Sequence, residues 1–325
     1  MKYLIYVIIA INFFIGCSSK NNFEPEKVID NLDISIKNIS NDIQSFKINN
    51  GITLKDGSVL VSSGLLKEKL PNNFNLINYN NNMVIAVNNN ELMIGSETYK
   101  FNQEVVAATL KNNLLALVFI DNSISIYNIK IKKTIFKDYF EHSYLNDIKI
   151  VNPYFMDNLI LFPMLNGKVI VVDSNTKKTI RTIAVNTSSD IKNIIFLGVI
   201  GENFIIANSN KILSIGNGVI NSKEYDISNI TTAKNNIYLT TIDGNILKLD
   251  KSLNVLASKK YKFANFFTIV YTNGSIYALE SQGYIVLIDD NFTKDSIYKF
   301  EFDNTKYIVP IDNKIYFENK FLEIK

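Results

Sequence analysis

Histidine, arginine and cysteine each occur once in these 325 residues, as His142, Arg181 and Cys17, and tryptophan does not occur at all. Each scarcity removes a class of function. A zinc centre takes three or four nitrogen or sulfur ligands, which one histidine and one distant cysteine cannot supply. A nucleophile activated by a neighbouring base leaves a recognisable residue set, and neither that set nor a Gly-x-Ser-x-Gly turn is present. One cysteine cannot make an internal disulfide. The 13 glycines form no phosphate-cradling loop. A net charge of only +3, with no clustered basic face, gives no footprint for nucleic acid.

The N-terminus is where the lone cysteine acquires a meaning. Lys2 precedes an apolar run, Tyr3 to Ile15, broken only by Asn12. That run is too short to span a bilayer, which takes roughly 20 apolar residues, and matches the core of a secretory signal. It ends in Phe14-Ile15-Gly16-Cys17-Ser18-Ser19. Small Gly16 before the cysteine resembles the lipobox of bacterial lipoproteins. That resemblance implies cleavage after residue 16, diacylglycerol on the Cys17 thiol, further acylation (palmitate or a similar chain) and a lipid anchor in a membrane. Ser18 after the cysteine, rather than aspartate, resembles the signal for outer-membrane sorting. Residues 17–44 are polar, with Pro25 and several charges, and read as a tether holding residues 45–325 off the lipid surface. A short amphipathic stretch falls around Val28 to Ile39.

The rest of the chain is repetitive. Leu114 to Ile120 leads through Asp121-Asn122 into Ser-Ile-Ser-Ile-Tyr and then Asn128. The same phrase runs from Leu159 through Asn166-Gly167 to Asp173, from Ile237 through Asp243-Gly244 to Asp250, and from Ile276 through Gln282-Gly283 to Asp289. Apolar residues alternating about an Asn-Gly or Asp-Gly pair predict a hairpin with a type I′ turn. The trailing Asn or Asp predicts a second turn closed by its own side chain. A more polar strand follows, such as Lys177 to Ile183 or Ser258 to Phe263. Weaker copies lie at Met83 to Ser96, Phe204 to Gly216, Lys314 to Ile324 and near Asp56-Gly57. Successive copies start 31 residues (Asn81 to Asn112) to 45 residues (Asp157 to Glu202) apart. Period-two patterning inside a unit of about 40 residues is the signature of a β-propeller blade; a sandwich or an irregular solenoid are the competing all-β folds. The expectation is an all-β propeller of seven to eight four-stranded blades, its ring closed by an N-terminal strand supplied by Ser45 to Ile48 or nearby residues.

A lipobox, a polar tether and blades of this phrasing resemble the propeller lipoprotein of the outer-membrane β-barrel assembly machinery, the BamB family, and share a pattern with pyrroloquinoline-quinone-type propellers. The first resemblance implies a non-enzymatic accessory at the periplasmic face of the outer membrane, with the barrel assembly protein or incoming unfolded strands as partners. The alternative is a surface-exposed lipoprotein that binds host proteins or glycans; a third reading is a degenerate quinoprotein-type enzyme.

No cofactor, metal or small-molecule substrate is expected. His142 sits in a long connection. The pairs Asp289-Asp290 and Glu301 with Asp303 read as turn and solvated-strand residues. Arg181 and the cluster Lys130, Lys132 and Lys133, beside Tyr127 and Phe136, read as outer-strand surface. The connections Asp138 to Phe155 and Thr187 to Phe196 are the candidate contact loops. Cys17 is the one site residue assigned.

Overall fold

Two kinds of turn, alternating along the chain, build the architecture. One kind is a two-residue hairpin with both central residues left-handed: Asn81-Asn82 (φ 50° and 58°), Lys234-Asn235 (47° and 63°), Asn217-Gly218 and Asn273-Gly274. These are type I′ turns, whose twist matches that of the flanking strands, and asparagine tolerates the required φ better than other side chains. The other kind joins the second and third strands of a blade. In Thr241-Ile242-Asp243-Gly244 the Gly244 amide donates to the Thr241 carbonyl at 3.0 Å, and only Gly244 has positive φ, at 86°. This is a three-residue loop ending in a left-handed residue. The Asp-Gly pairs are expected to form type I′ turns; that geometry belongs instead to hairpins joining the first two strands of a blade, as at Asn81-Asn82, Lys234-Asn235 and Asn273-Gly274, or its last two, as at Asn217-Gly218.

The computed structural model describes residues 22–30, 35–143, 149–185, 192–300 and 307–324. They form eight four-stranded antiparallel sheets and contain no helix. Seven blades are continuous in sequence, spanning residues 43–65, 75–100, 105–138, 154–184, 196–224, 227–260 and 266–299. The eighth combines Ile308–Ile311, Lys314–Phe317 and Lys320–Glu323 with an outer strand from the other end of the chain, Ser35–Asn38. Ser35 pairs with Glu323 and Asn38 with Lys320, and Lys37 reaches Glu323 at 2.5 Å.

An N-terminal strand therefore closes the ring, as expected, but a different segment supplies it. Ile43–Lys47, which overlaps the expected closing residues, is the inner strand of the first blade. The ordered body starts well before residue 45. Ile29 donates its amide to the Ile297 carbonyl at 2.8 Å, and Phe23 is 5% exposed against Tyr261 and Tyr284. Residues 22–30 and 35–39 are thus docked on the propeller rather than free of it.

The apolar core follows the seams. Eight clusters of buried side chains each join one blade to the next, from Leu76 and Ala86 against Val59 and Val61 round to Val309 and Tyr316 against Ile43 and Ile52. Each blade is apolar on both faces because both faces meet a neighbour, which explains solid runs such as Leu114–Phe119. Outer strands are exposed; Lys178–Ala184 is so along nearly its whole length.

Candidate binding surfaces

The inner strands carry polar side chains where they pass the ring axis, and these hold neighbouring blades together. Asn78 donates to the Ala108 carbonyl at 2.7 Å and to Thr109 at 2.9 Å. Thr109 donates to the Pro153 carbonyl and Asn152 to that of Ile77, both at 2.7 Å. Gln44 and Ser45 both donate to Asn75 Oδ1, and Asn229 to the Phe266 carbonyl. Buried polar groups are tolerated when so partnered. This belt begins next to bulges at Gln44, Ile77, Val106, Ser228 and Phe267, where one extra residue turns the inner strand.

Lys47 is the charged member of the belt. Its Nζ donates to the Val106 carbonyl of the third blade at 2.9 Å, and only 6% of the residue is exposed. Desolvation pulls its pKa down to about 7. The sequence offers no sign of this, since Lys47 ends a strand in a lysine-rich chain.

Beside the belt lies a hollow of about 920 Å³, lined by Phe46, Lys149, Asn229, Phe267, Tyr271 and Tyr307 among others. Its walls come from the first, fifth, sixth, seventh and eighth blades and mix aromatic, aliphatic and amide groups. Lys149, from the long connection ahead of the fourth blade, turns its Nζ to the Ser228 carbonyl and to Asn229. Among the described residues no group of three or more His, Cys, Asp or Glu could hold a metal.

The second surface is the face carrying the Gly-turns. Gly244 accepts from the Tyr261 amide at 2.8 Å, Gly57 from Leu70, and Gly283 from Phe300, so each turn docks against the loop leading to the next blade. A Cβ on Gly244 would stand 2.1 Å from the Tyr261 carbonyl, which is why the position demands glycine. Asn122 takes the same place in the third blade at φ 64°. Its side chain bridges the loops, donating to the Glu141 carbonyl and accepting from the Leu165 amide.

The residues singled out from sequence fall as follows. Cys17, Glu301 and Asp303 lie outside the described residues. Asn128, Asp173, Asp250 and Asp289 each close a turn by accepting backbone amides, as expected. Asp290 is not merely solvated: Tyr238 and Lys248 both donate to it, at 2.5 and 2.8 Å. Arg181 is exposed on the outer strand of the fourth blade. Lys130 and Lys133 are exposed, and Lys132 pairs with Glu97 at 3.7 Å. His142 is exposed in its connection. The described parts of that connection are pinned: Ser143 donates to the Leu165 carbonyl, and Asn152 belongs to the belt. The second connection, Thr187 to Phe196, is described only from residue 192, and Ile194, Ile195 and Phe196 are buried.

A closed ring of eight four-stranded blades, held together by a partnered polar belt, defines the chain as an eight-bladed β-propeller. No family model matches the chain. It is 34% identical to "Plasminogen-binding protein PgbB" of Helicobacter pylori, and 33% to the protein of that name from a second strain, over 67% of its own length. Those matches cover 43% and 42% of the relatives, so the chain spans less than half the length of the curated proteins it matches. Among solved structures it is similar to BamB from Moraxella catarrhalis, with a TM-score of 0.67 and 12% identity over 89% of this chain and 97% of that one. It is also similar to the C-terminal WD40 domain of Sif2, with a TM-score of 0.62 and 13% identity over 89% and 98%. At such identities these two likenesses concern the fold alone.

Proposed function

We propose that this chain is a non-enzymatic lipoprotein of the cell envelope, anchored through Cys17, whose propeller binds a protein partner. The observation that carries the reading is the 34% identity, across 67% of the chain, to a protein named for binding plasminogen. The lipobox-like Phe14 to Ser19 supports export and lipidation. Rigid blades that present loops and exposed outer strands on a well-packed ring suit recognition of a folded protein. On this reading the partner is an extracellular protein of the plasminogen kind, and the lipoprotein stands on the outer surface of the outer membrane. Purified chain with Cys17→Ala, immobilised, should retain plasminogen over an albumin control, and protease shaving of intact cells should degrade the lipidated protein. No retention, together with full protection from the protease, overturns it.

The second reading is the BamB-like accessory at the periplasmic face, in contact with the outer-membrane barrel assembly protein. It is favoured by the fold match, which covers 97% of the BamB chain. Strand-edge or loop contacts with incoming β-segments would be its mechanism. Co-purification of the barrel assembly protein with the lipidated chain, and protection in the shaving assay, would select it over the first reading.

A further inference from the structure

The chain between the lipidation site and the propeller is shorter than its sequence implies, because Phe23 is already part of the core. Its ring stands edge-on to Tyr284 at 5.6 Å and to Tyr261 at 6.2 Å, in the seam between the sixth and seventh blades. Ile29 then bridges to the outer strand of the seventh blade before the chain enters the eighth. Six residues from Cys17 to Phe23 reach at most about 20 Å when fully extended. The seven-residue strands of the blades are themselves about 23 Å long. A leash of that length leaving the Gly-turn rim cannot carry the opposite rim to the bilayer, since it would first have to run the whole thickness of the ring.

The rim at which the leash leaves has a distinct chemistry. Tyr261, against which Phe23 packs, belongs to the loop that docks on Gly244. Both of these touching segments expose a large apolar side chain, Ile242 at 63% and Phe263 at 42%. Phe263 is in the left-handed region at φ 66°, and Lys262 Nζ lies 4.8 Å from its ring centroid. Lys260 pairs with Asp243 at 2.8 Å, so its charge is already met. Two exposed apolar side chains on touching segments, with a lysine over the ring of one of them, form an interfacial unit: the apolar groups enter the acyl boundary while the amine reaches the phosphates.

We propose that the Gly-turn rim of the sixth blade, through Ile242, Lys262 and Phe263, rests on the bilayer that holds the Cys17 lipid, and that the opposite face is turned away from the membrane. This rests on the lipid-anchor reading of Cys17. The occupant is a bilayer with anionic headgroups, and the length of the leash is what selects it over a protein. One consequence follows for any partner: the far face, with the asparagine-rich hairpins at Asn81 and Asn217, is the face left accessible.

The absence of tryptophan makes the test clean. Phe263→Trp and Ile242→Trp put the sole indole on the proposed contact, while Met83→Trp and Val219→Trp put it beside the hairpins of the far face. Each lipidated full-length variant is bound to phosphatidylglycerol–phosphatidylethanolamine vesicles with or without dibrominated acyl chains. Vesicle flotation is scored first, since a chain that does not float overturns the anchor reading and the orientation with it. Among floating variants, the indole at 263 or 242 should lose most of its emission in brominated vesicles and shift to shorter wavelength, with those at 83 and 219 unchanged. Quenching at 83 or 219 equal to or above that at 263 and 242, or no quenching at any of the four, overturns the orientation while leaving the anchor intact.

Discussion

The Tyr238 hydroxyl donates to the Asp290 carboxylate at 2.5 Å, crossing the seam from the sixth blade to the seventh. Lys248 Nζ meets the same carboxylate at 2.8 Å, and Tyr238 stacks on Tyr271 at 4.8 Å. Burial acts to raise the Asp290 pKa, but the hydrogen bonds from Lys248 and Tyr238 and the lysine charge outweigh it and hold the carboxyl below its ordinary value. Tyr238 itself is raised, first by burial and then by this bond. A parallel pair, Tyr261 with Asp295 at 2.8 Å, sits in the same seam.

Tyr238→Phe should therefore cost about 2 kcal/mol in unfolding free energy, the usual loss for a hydrogen bond to a charged group. The sign of the pH effect follows from the depressed carboxyl. Its contribution is fully present above the unfolded aspartate pKa and is lost as pH falls through the lower folded value. The deficit of the variant should be constant near neutrality and shrink in acid. Urea titrations at pH 7 and pH 3 measure it; an unchanged deficit at pH 3 would count against the assignment.

Gly244 and Gly95 separate two costs that sequence alone merges. Both have positive φ, 86° and 57°, but a Cβ on Gly95 meets nothing within 4 Å while one on Gly244 would strike the Tyr261 carbonyl. Gly95→Ala should cost about 1 kcal/mol, the left-handed penalty alone. Gly244→Ala should cost roughly 3 kcal/mol, because the loop carrying Tyr261 must also move. Equal losses in thermal or chemical unfolding would sink the distinction.

How much of this was readable beforehand depends on whether a residue's role is local. Asn128, Asp173, Asp250 and Asp289 accept amides two to five residues ahead, so their role shows in the repeat itself. The type I′ turns were misplaced because Asp-Gly fits either loop, and what decides is the close packing of Gly244 on a loop from further along the chain. The closing strand was missed because Ser35–Asn38 exposes most of its length and carries no buried alternation, while Ile43–Lys47 is more apolar but belongs elsewhere. Phe23 is one aromatic residue in a polar stretch, without period or neighbours to mark it. The buried Lys47 was invisible for a related reason, since its partner is a main-chain carbonyl 59 residues away.

Lys47 gives the chain a second pH response of the same sign as that of Asp290, but in the alkaline range. Its folded pKa is about 7, against about 10.4 for an exposed lysine. Between those values the unfolded chain holds a proton that the folded chain lacks, so stability rises with pH across the window. The raised tyrosines Tyr238 and Tyr261 reverse the trend near their unfolded pKa of about 10, which confines the clean range to pH 7–9. The native chain should melt at higher temperature at pH 9 than at pH 7. Lys47→Met should be the more stable of the two at pH 7 and nearly flat across the same range, since an apolar side chain removes the buried amine. Parallel slopes in calorimetry would show that Lys47 is not the group responsible.

The seam between Ser35–Asn38 and Lys320–Glu323 is where the two ends of the chain meet, and it should govern whether the ring stays monomeric. Removing residues 1–39 deletes the outer strand of the eighth blade and also the Phe23 contact in the neighbouring seam. The freed edge at Lys320–Glu323 would present unpaired amides and carbonyls, a template for pairing with another copy. The shortened chain should elute as dimers or larger species in size-exclusion chromatography, whereas a chain beginning at residue 18 should remain monomeric. A synthetic peptide covering residues 22–40 should return the shortened chain to the monomer by refilling the strand position. The same peptide with Lys37→Pro should fail, because residue 37 lies in register with Phe321, two places from the Ile39 amide that bonds the Asn319 carbonyl, and proline there cannot donate its amide to the ladder. A shortened chain that is monomeric without any peptide would show that three strands suffice for the eighth blade.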